Sequence, residues 1–384
     1  MKICFVGLQN LSVLAPEFKA PTVGGEPVQQ TLLARALARS GHEVSMVVTD
    51  HGQPDGIVCD GIRVLKAYRP DAGVPVLRFI HPRWTGLWSA LMRANADVYY
   101  TSCAGMQVGL LAMFCRHFGK RFVFRSASDS DCDKSRLLVR YARDRWLYDY
   151  GLRRADAILV QSACQAQTLL RSYGLQSRVA GMLVEPPLSA PTHELDVLWV
   201  GNIRRVKRPD RVLWLAARLP WAAIHMAGGA LPGEEALFAG VRDGAAAYAN
   251  LTFHGPLSYL DAADLYGRAR VLLNTSDVEG FPNTYLQAWI RGVPVVTLID
   301  PDRVIEREGL GVAVRSPGEL VGALASLLGS PQTWQAASER CRRFMAREFS
   351  DDRILPAYLD TFARVMHAGR RGLLAMPSSE APHV

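Results

Sequence analysis

Short apolar runs alternate along this chain with amphipathic stretches of about three turns. Residues 2–7 form an apolar run closed by Gly7, which reads as a strand buried on both faces. A loop holding Gly24-Gly25-Glu26-Pro27 follows. Leu32, Leu33, Ala36 and Leu37 then share one face of a helix predicted over 28–40, with Gly41 as its stop. Residues 44–49 give a second apolar strand. Strand, helix and strand in this order predict a parallel sheet of Rossmann type. The alternation continues with strands at 62–67, 97–101, 121–125 and 157–161. Helices are predicted at 84–94, at 105–118 and from beyond 161 to near Gly174.

Pro186, Pro187 and Pro191 break the alternation in a stretch without periodicity, the clearest domain boundary in the chain. The plan then restarts. Strands are predicted at 196–201, 223–227, 251–254, 271–275 and 294–298. Helices are predicted at 209–219, 258–268, 283–291, 317–329 and 331–347, with a last amphipathic one at 353–367. The pattern therefore predicts an α/β protein of two Rossmann-like, doubly wound domains, 1–188 and 195–348. The helix at 349–368 is expected to pack back on the first domain, and the tail at 369–384 to be disordered.

Composition changes this picture little. The chain has 384 residues, 49% hydrophobic and 21% charged, which fits globular domains and excludes global disorder. A net charge of +8 permits an anionic ligand or a membrane surface. Nucleic acid is not expected as a partner, because no reader motif is present. The 7 cysteines show no metal or redox spacing and read as reduced thiols. No apolar run reaches the ~18 residues of a membrane span. A cytoplasmic location is expected, with peripheral contact to an anionic membrane allowed by Arg78, Arg83, Trp84, Trp88 and Arg93. Asp129-Ser130-Asp131 has the letters of a metal motif, but no metal is expected, and His225 reads as a core residue.

Three segments carry candidate chemistry. Gly24 and Gly25 follow the first strand at the carboxyl edge of the sheet, where ligands bind and where glycine lets a phosphate approach the backbone. Asn202, Arg204, Arg205, Lys207 and Arg208 follow the first strand of the second half, well placed for a diphosphate. Glu279-Gly280-Phe281-Pro282-Asn283-Thr284 then leads into a helix bearing Gln287. Pro282 suits a first helical turn, and the amides of Asn283 and Thr284 are free for an anion. Glu279 and Gln287 are placed to face one cleft.

Together these segments resemble the retaining glycosyltransferases of family four, the "glycosyl transferases group 1", which have the GT-B fold. The glycine pair matches the family's first loop. Val200-Gly201-Asn202-Ile203 with Lys207 matches its second-domain opening. Glu279-Gly280-Phe281-Pro282, Gln287-Ala288-Trp289 and Gly292-Val293-Pro294-Val295-Val296 match its Glu-x7-Glu motif, in which Gln287 replaces the second glutamate. The resemblance covers about residues 1–365.

The resemblance implies transfer of a sugar from a nucleoside-diphosphate sugar to a glycan or lipid-linked acceptor, with retention, in polysaccharide or glycolipid synthesis. Catalytic roles fall to Glu279, Lys207 and Arg205. Donor contacts fall to Gly24, Gly25, Asn202, Arg204, Gly228, Gly255, Pro256, Leu257, Phe281, Pro282, Asn283, Thr284 and Gln287. Ser128 and Asp129 are the acceptor candidates, since the family's first-domain histidine is absent. The donor is a co-substrate, and no cofactor or metal is implied. The amide oxygen of Gln287 is expected to accept from the donor ribose in place of the carboxylate. A nucleotide-sugar epimerase and a non-catalytic sugar-nucleotide-binding protein are the competing readings.

Overall fold

The computed structural model describes residues 1–18, 24–75, 77–231 and 233–374. Its first half comprises β1 (Lys2–Val6), α1 (Leu11–Leu14), α2 (Gly25–Arg39), β2 (Glu43–Val48), β3 (Val58–Cys59), β4 (Ile62–Lys66), α3 (Thr85–Ala94), β5 (Val98–Ser102), α4 (Met106–His117), β6 (Arg121–Arg125), α5 (Ala142–Leu152), β7 (Ala157–Val160), α6 (Ala163–Tyr173) and β8 (Arg178–Val179). The sheet order is β3-β4-β2-β1-β5-β6-β7-β8. All pairings are parallel except the short β3–β4 pair. The order reverses between β1 and β5, which opens a crevice at their carboxyl ends.

The second half comprises β9 (Leu195–Val200), α7 (Asp210–Arg218), β10 (Ile224–Ala227), α8 (Glu235–Ala245), β11 (Leu251–Gly255), α9 (Tyr259–Arg268), β12 (Ala269–Asn274), α10 (Asn283–Trp289), β13 (Val295–Thr297), α11 (Val304–Glu308), β14 (Gly311–Ala313), α12 (Glu319–Gly329) and α13 (Pro331–Glu348). This sheet is parallel, with order β11-β10-β9-β12-β13-β14, and reverses between β9 and β12. In both halves helices cover both sheet faces. That is why the central strands are continuous apolar runs rather than alternating ones.

The last helix, α14 (Asp351–Leu374), leaves the second half and returns to the first. Ile354, Tyr358, Phe362 and Val365 are buried in one core with Ile3, Phe5, Tyr100 and α2. Tyr358 donates to the Gly181 carbonyl at 2.8 Å. The helix runs on past residue 368, where the sequence pattern predicted a tail; residues 375–384 of that tail lie outside the described residues. Pattern alone also missed α1, α5, α8, α11, β14 and the two-residue strands β3 and β8. α5 mixes charge and aromatics around its whole circumference, and two residues are too few for any period to show.

Polar contacts join the halves near the crevices. The Phe281 amide donates to the side-chain oxygen of Gln161 at 2.8 Å. The Asp302 carboxylate accepts from the Ala163 and Cys164 amides, at 3.0 and 3.2 Å, at the start of α6. Asp302 and Arg303 reach this position through left-handed backbone, at φ 50° and 56°.

Candidate functional site

The carboxyl edges of the two sheets face each other across a cleft of about 370 Å³. The first half contributes Ser12, Val13, Pro16, Gly24, Gly25 and Val28. The second contributes Gly201, Asn202, Gly228, Gly229, Pro256, Leu257, Tyr259, Ala262, Ala263, Tyr266, Asn283, Thr284 and Gln287, among others.

Glycine crowds one end of this cleft for steric reasons. A Cβ on Gly228 would stand 1.8 Å from the Gly201 carbonyl oxygen, so the loops after β9 and β10 approach too closely for any side chain. A Cβ on Gly25 would meet the Asn283 side chain at 2.5 Å. The Asn283 amide instead donates to the Gly25 carbonyl, which ties the two domains at the cleft mouth. The helix after the glycine pair begins earlier than its apolar stripe suggests. Gly24 is the N-cap and Gly25 the first residue of α2. The first-turn amides of Gly25 and Glu26 therefore stand at the cleft, where the helix dipole favours an anion.

The other expected donor residues divide. Asn202, Gly228, Pro256, Leu257, Thr284 and Gln287 join Gly24, Gly25 and Asn283 in the cleft wall. Gly255 sits behind it and turns the chain into Pro256 through a positive φ of 68°. Pro282 is the N-cap of α10. Phe281 packs edge-on against Trp289, with centroids 6.1 Å apart, and so serves the core beneath the cleft.

The basic loop is held, not loose. The Thr275 hydroxyl donates to the Lys207 carbonyl at 2.8 Å and accepts from the Trp199 indole at 2.9 Å. This fixes Lys207 at the end of β12, where its ammonium meets Glu279 at 2.5 Å. The same Glu279 oxygen accepts from the Ser276 hydroxyl at 2.6 Å and the Asn274 amide at 3.3 Å. The two residues expected to act on the leaving group and on the sugar are thus an ion pair. Arg205 is exposed at the start of the short turn Arg205–Lys207. Arg204, half-buried, is the N-cap of that turn. Arg208 does not face a diphosphate as its place in the cation cluster suggested. It is engaged by Asp210 at 2.7 Å and Asp277 at 3.4 Å.

Gln287 lines the cleft and has a partner behind it. It is 6% exposed, and its side-chain oxygen accepts from Arg291 at 3.0 Å. One of that oxygen's two lone pairs is taken by the guanidinium, which has only donors.

On the first-domain side, Ser128 caps the turn Asp129–Cys132 by accepting from the Ser130 amide at 3.3 Å. Asp129 accepts from Gln165 at 2.9 Å, and burial raises its pKa. Asp131 is structural. It is buried, accepts from the Ala127 and Ser128 amides, and is pushed up to about 6, chiefly by burial. Among the described residues no group of His, Cys, Asp and Glu is arranged to hold a metal. His225 is half-buried and stacks on His254, their facing nitrogens 3.0 Å apart, rather than sitting in the core.

A second polar cluster escaped the sequence pattern. Glu26 accepts from the Ser102 hydroxyl and the Gln30 amide at the crevice between β1 and β5. Burial pushes its pKa up to about 7 despite the nearby charge of Arg125. Arg125 is itself 2% exposed, with Nε and Nη2 unpaired. The sequence signal was only a glutamate after two glycines and an arginine ending an apolar strand.

Comparison with known proteins agrees with this architecture. A family model for a glycosyl transferase 4-like domain matches residues 24–183, and one for glycosyl transferases group 1 matches 194–330. A D-inositol 3-phosphate glycosyltransferase of Mycobacterium avium is 34% identical over 206 residues, covering 48% of this chain and 46% of that protein. The match thus spans under half the length of this curated relative. Sucrose-phosphate synthase of Thermosynechococcus elongatus superposes with a TM-score of 0.76 at 19% identity, covering 95% of this chain and 99% of that one. HepE of Anabaena, solved with UDP and glucose, gives 0.71 at 13% identity, covering 94% and 99%. With both halves matched and two Rossmann-like domains closing on one glycine-walled cleft, the chain belongs to the group 1 glycosyltransferases of family four and has the GT-B fold.

Proposed function

We propose that this protein transfers a sugar from a nucleoside-diphosphate sugar to a glycan or lipid-linked acceptor, with retention at the anomeric carbon. The observation that carries the reading is the cleft itself. One end has glycine backbone and first-turn amides of α2, a setting for a diphosphate, and the loop after β9 that gives the wall Asn202 also carries Lys207. The other end is walled by Leu257, Ala262, Ala263 and Tyr266, a setting for a planar base. Gln287 lies between them. It bonds to Tyr259 on α9, and it stands one turn along α10 from Asn283, which touches Gly25.

In this reading Lys207 stabilises the negative charge that develops on the departing diphosphate. Glu279 holds Lys207 in place beforehand and then faces the sugar, where its carboxylate steadies the positive charge that builds at the anomeric carbon. HepE was solved with UDP and glucose, which supports a donor of this class. The acceptor enters from the first domain, past Asp129 and the Glu26 cluster.

A lipid-linked acceptor is supported by the outer face of the first domain. Leu77 and Ile80 are exposed there, as are Leu138, Tyr141 and Trp146. Arg143 stacks at 3.7 Å on Phe79 and joins the two segments into one surface, with Arg140 and Arg145 beside it. Such a mixture suits an anionic bilayer. No described helix is long and apolar enough to cross a membrane.

The test is turnover by purified protein of radiolabelled UDP-, ADP- and GDP-sugars with lipid-extract acceptors, and the product anomer by NMR. Transfer with retained configuration supports the reading. Interconversion of donor sugars without transfer would establish an epimerase instead.

A further inference from the structure

Gln161 follows β7 at the carboxyl edge of the first sheet, and the loop that carries Glu279 presses on it from the other domain. The Phe281 amide donates to Gln161 Oε1 at 2.8 Å. A Cβ on Gly280 would stand 2.3 Å from that oxygen, 2.9 Å from Gln165 Nε2 and 3.1 Å from the Ala127 carbonyl oxygen. Glycine at 280 is therefore required by close approach. The orientation of Gln161 is determined by Gln165, which is 1% exposed. The Gln165 oxygen accepts from the Ser126 hydroxyl at 2.7 Å and from the Gln161 backbone amide at 2.9 Å. Its nitrogen is left to donate, to Asp129 at 2.9 Å and to Gln161 Oε1 at 3.3 Å. The Gln161 oxygen thus receives one N–H from each domain, which uses both lone pairs. Asp302 holds the same segment through the Ala163 and Cys164 amides. In its own domain the Glu279 carboxylate is fixed by Lys207, Ser276 and Asn274. Two residues on, the loop is fixed by the other domain.

We propose that Gln161 is a positioning residue for the transfer. By taking the Phe281 amide as the domains close, it seats the Glu279 loop against the sugar. The proposal rests on the transfer reading above. The network of buried amides runs from Asp129, the acceptor candidate, through Gln165 and Gln161 to the loop of Glu279. A satisfied network of this kind holds one geometry, and an error of about 1 Å in a reacting group costs up to about a hundredfold in rate.

Two variants of one length test this. Gln161→Met removes the acceptor, and Gln161→Glu keeps an oxygen in its place. Turnover is followed with UDP-, ADP- and GDP-sugars and lipid-extract acceptors. Gln161→Met is expected to lower kcat about tenfold, the scale of one donor left unpaired, with the donor KM changed less than about threefold. Gln161→Glu is expected to restore kcat to within about threefold of wild type. Three results overturn the proposal and leave the transfer reading standing: wild-type turnover in Gln161→Met, equal falls in both variants, or a raised KM at unchanged kcat. Hydrogen exchange reads the same bond without turnover. The Phe281 amide is expected to exchange at least tenfold faster in Gln161→Met than in wild type and Gln161→Glu. Equal exchange in all three overturns the proposal. If the melting curve shows that Gln161→Met does not fold, wild-type exchange decides. Protection of the Phe281 amide by tenfold or more over an unfolded chain supports the proposal, and its absence overturns it. If the wild type transfers no sugar, the transfer reading and this proposal both fall.

Discussion

Lys207 and Glu279 show how the meaning of a residue changes once its neighbours are known. From the chain alone each had a separate task. In the structure they share a 2.5 Å contact, so removing either leaves the other half-buried and without its counter-charge. Lys207→Ala and Glu279→Ala are each expected to lower the transfer rate by about a hundredfold or more, the scale of lost charge stabilisation. Unchanged transfer rates in both variants would remove them from the mechanism.

Glu26 makes a second residue-scale prediction. Its proton is held in the folded chain up to about pH 7 and leaves an unfolded glutamate near 4.5. Between these values the folded state binds the extra proton, so stability falls as pH rises through the window. Glu26→Gln keeps the hydrogen bonds to Ser102 and Gln30 without the ionisation. The fall in urea midpoint from pH 5 to pH 8 is expected to be larger in the wild type than in the variant. Equal falls would place the Glu26 carboxyl in ordinary solvent.

At the scale of elements, periodicity found the strands and helices that bury one clear face. β1, β9 and β12 were legible because a strand covered on both sides is apolar over most of its length. The three candidate segments were legible because each lies between such a strand and the next long helix of the pattern. What stayed hidden depends on packing direction. Tyr259, Ala262, Ala263 and Tyr266 share one face of α9 by their spacing, yet nothing in that spacing says that this face meets the cleft. Trp88, read as part of a membrane-facing set, is turned onto Phe114 at 5.3 Å. Arg93, from the same set, is tied to the Lys66 carbonyl at 2.6 Å. The exposed apolar and basic surface is made by Leu77, Arg78 and Ile80 together with α5 and its approach. Trp146→Ser with Arg143→Glu is therefore expected to reduce co-sedimentation with phosphatidylglycerol vesicles several-fold, more so at low salt. Unchanged co-sedimentation would remove this surface as the membrane contact.

α14 carries the fold's longest return. Phe362 is fully buried and meets Tyr100 edge-on at 6.2 Å. Phe362→Ala is expected to cost about 3–5 kcal/mol, the usual range for a large core aromatic, read as a lowered urea midpoint. A cost under about 1 kcal/mol would show that the helix is not part of the first domain's core.

At the scale of the molecule, two sheets with the same winding put their carboxyl edges opposite each other, and the cleft between them needs a residue from each side. Gly25 with Asn283, Gln161 with Phe281 and Asp302 with the start of α6 are the visible joints. The doubling was legible from the restart of the pattern after the proline-rich segment. The joints were not, because they pair residues more than a hundred positions apart with no periodic signature.

The central claim is that this cleft binds a nucleoside-diphosphate sugar. A melting-temperature screen against UDP, ADP, GDP and their sugars tests it most directly. A ligand at a hundred times its Kd adds about 2.7 kcal/mol to the folded state. At least one nucleotide is expected to raise the melting temperature by a few degrees, with the rise reduced in Lys207→Ala. No rise with any of them would contradict the account.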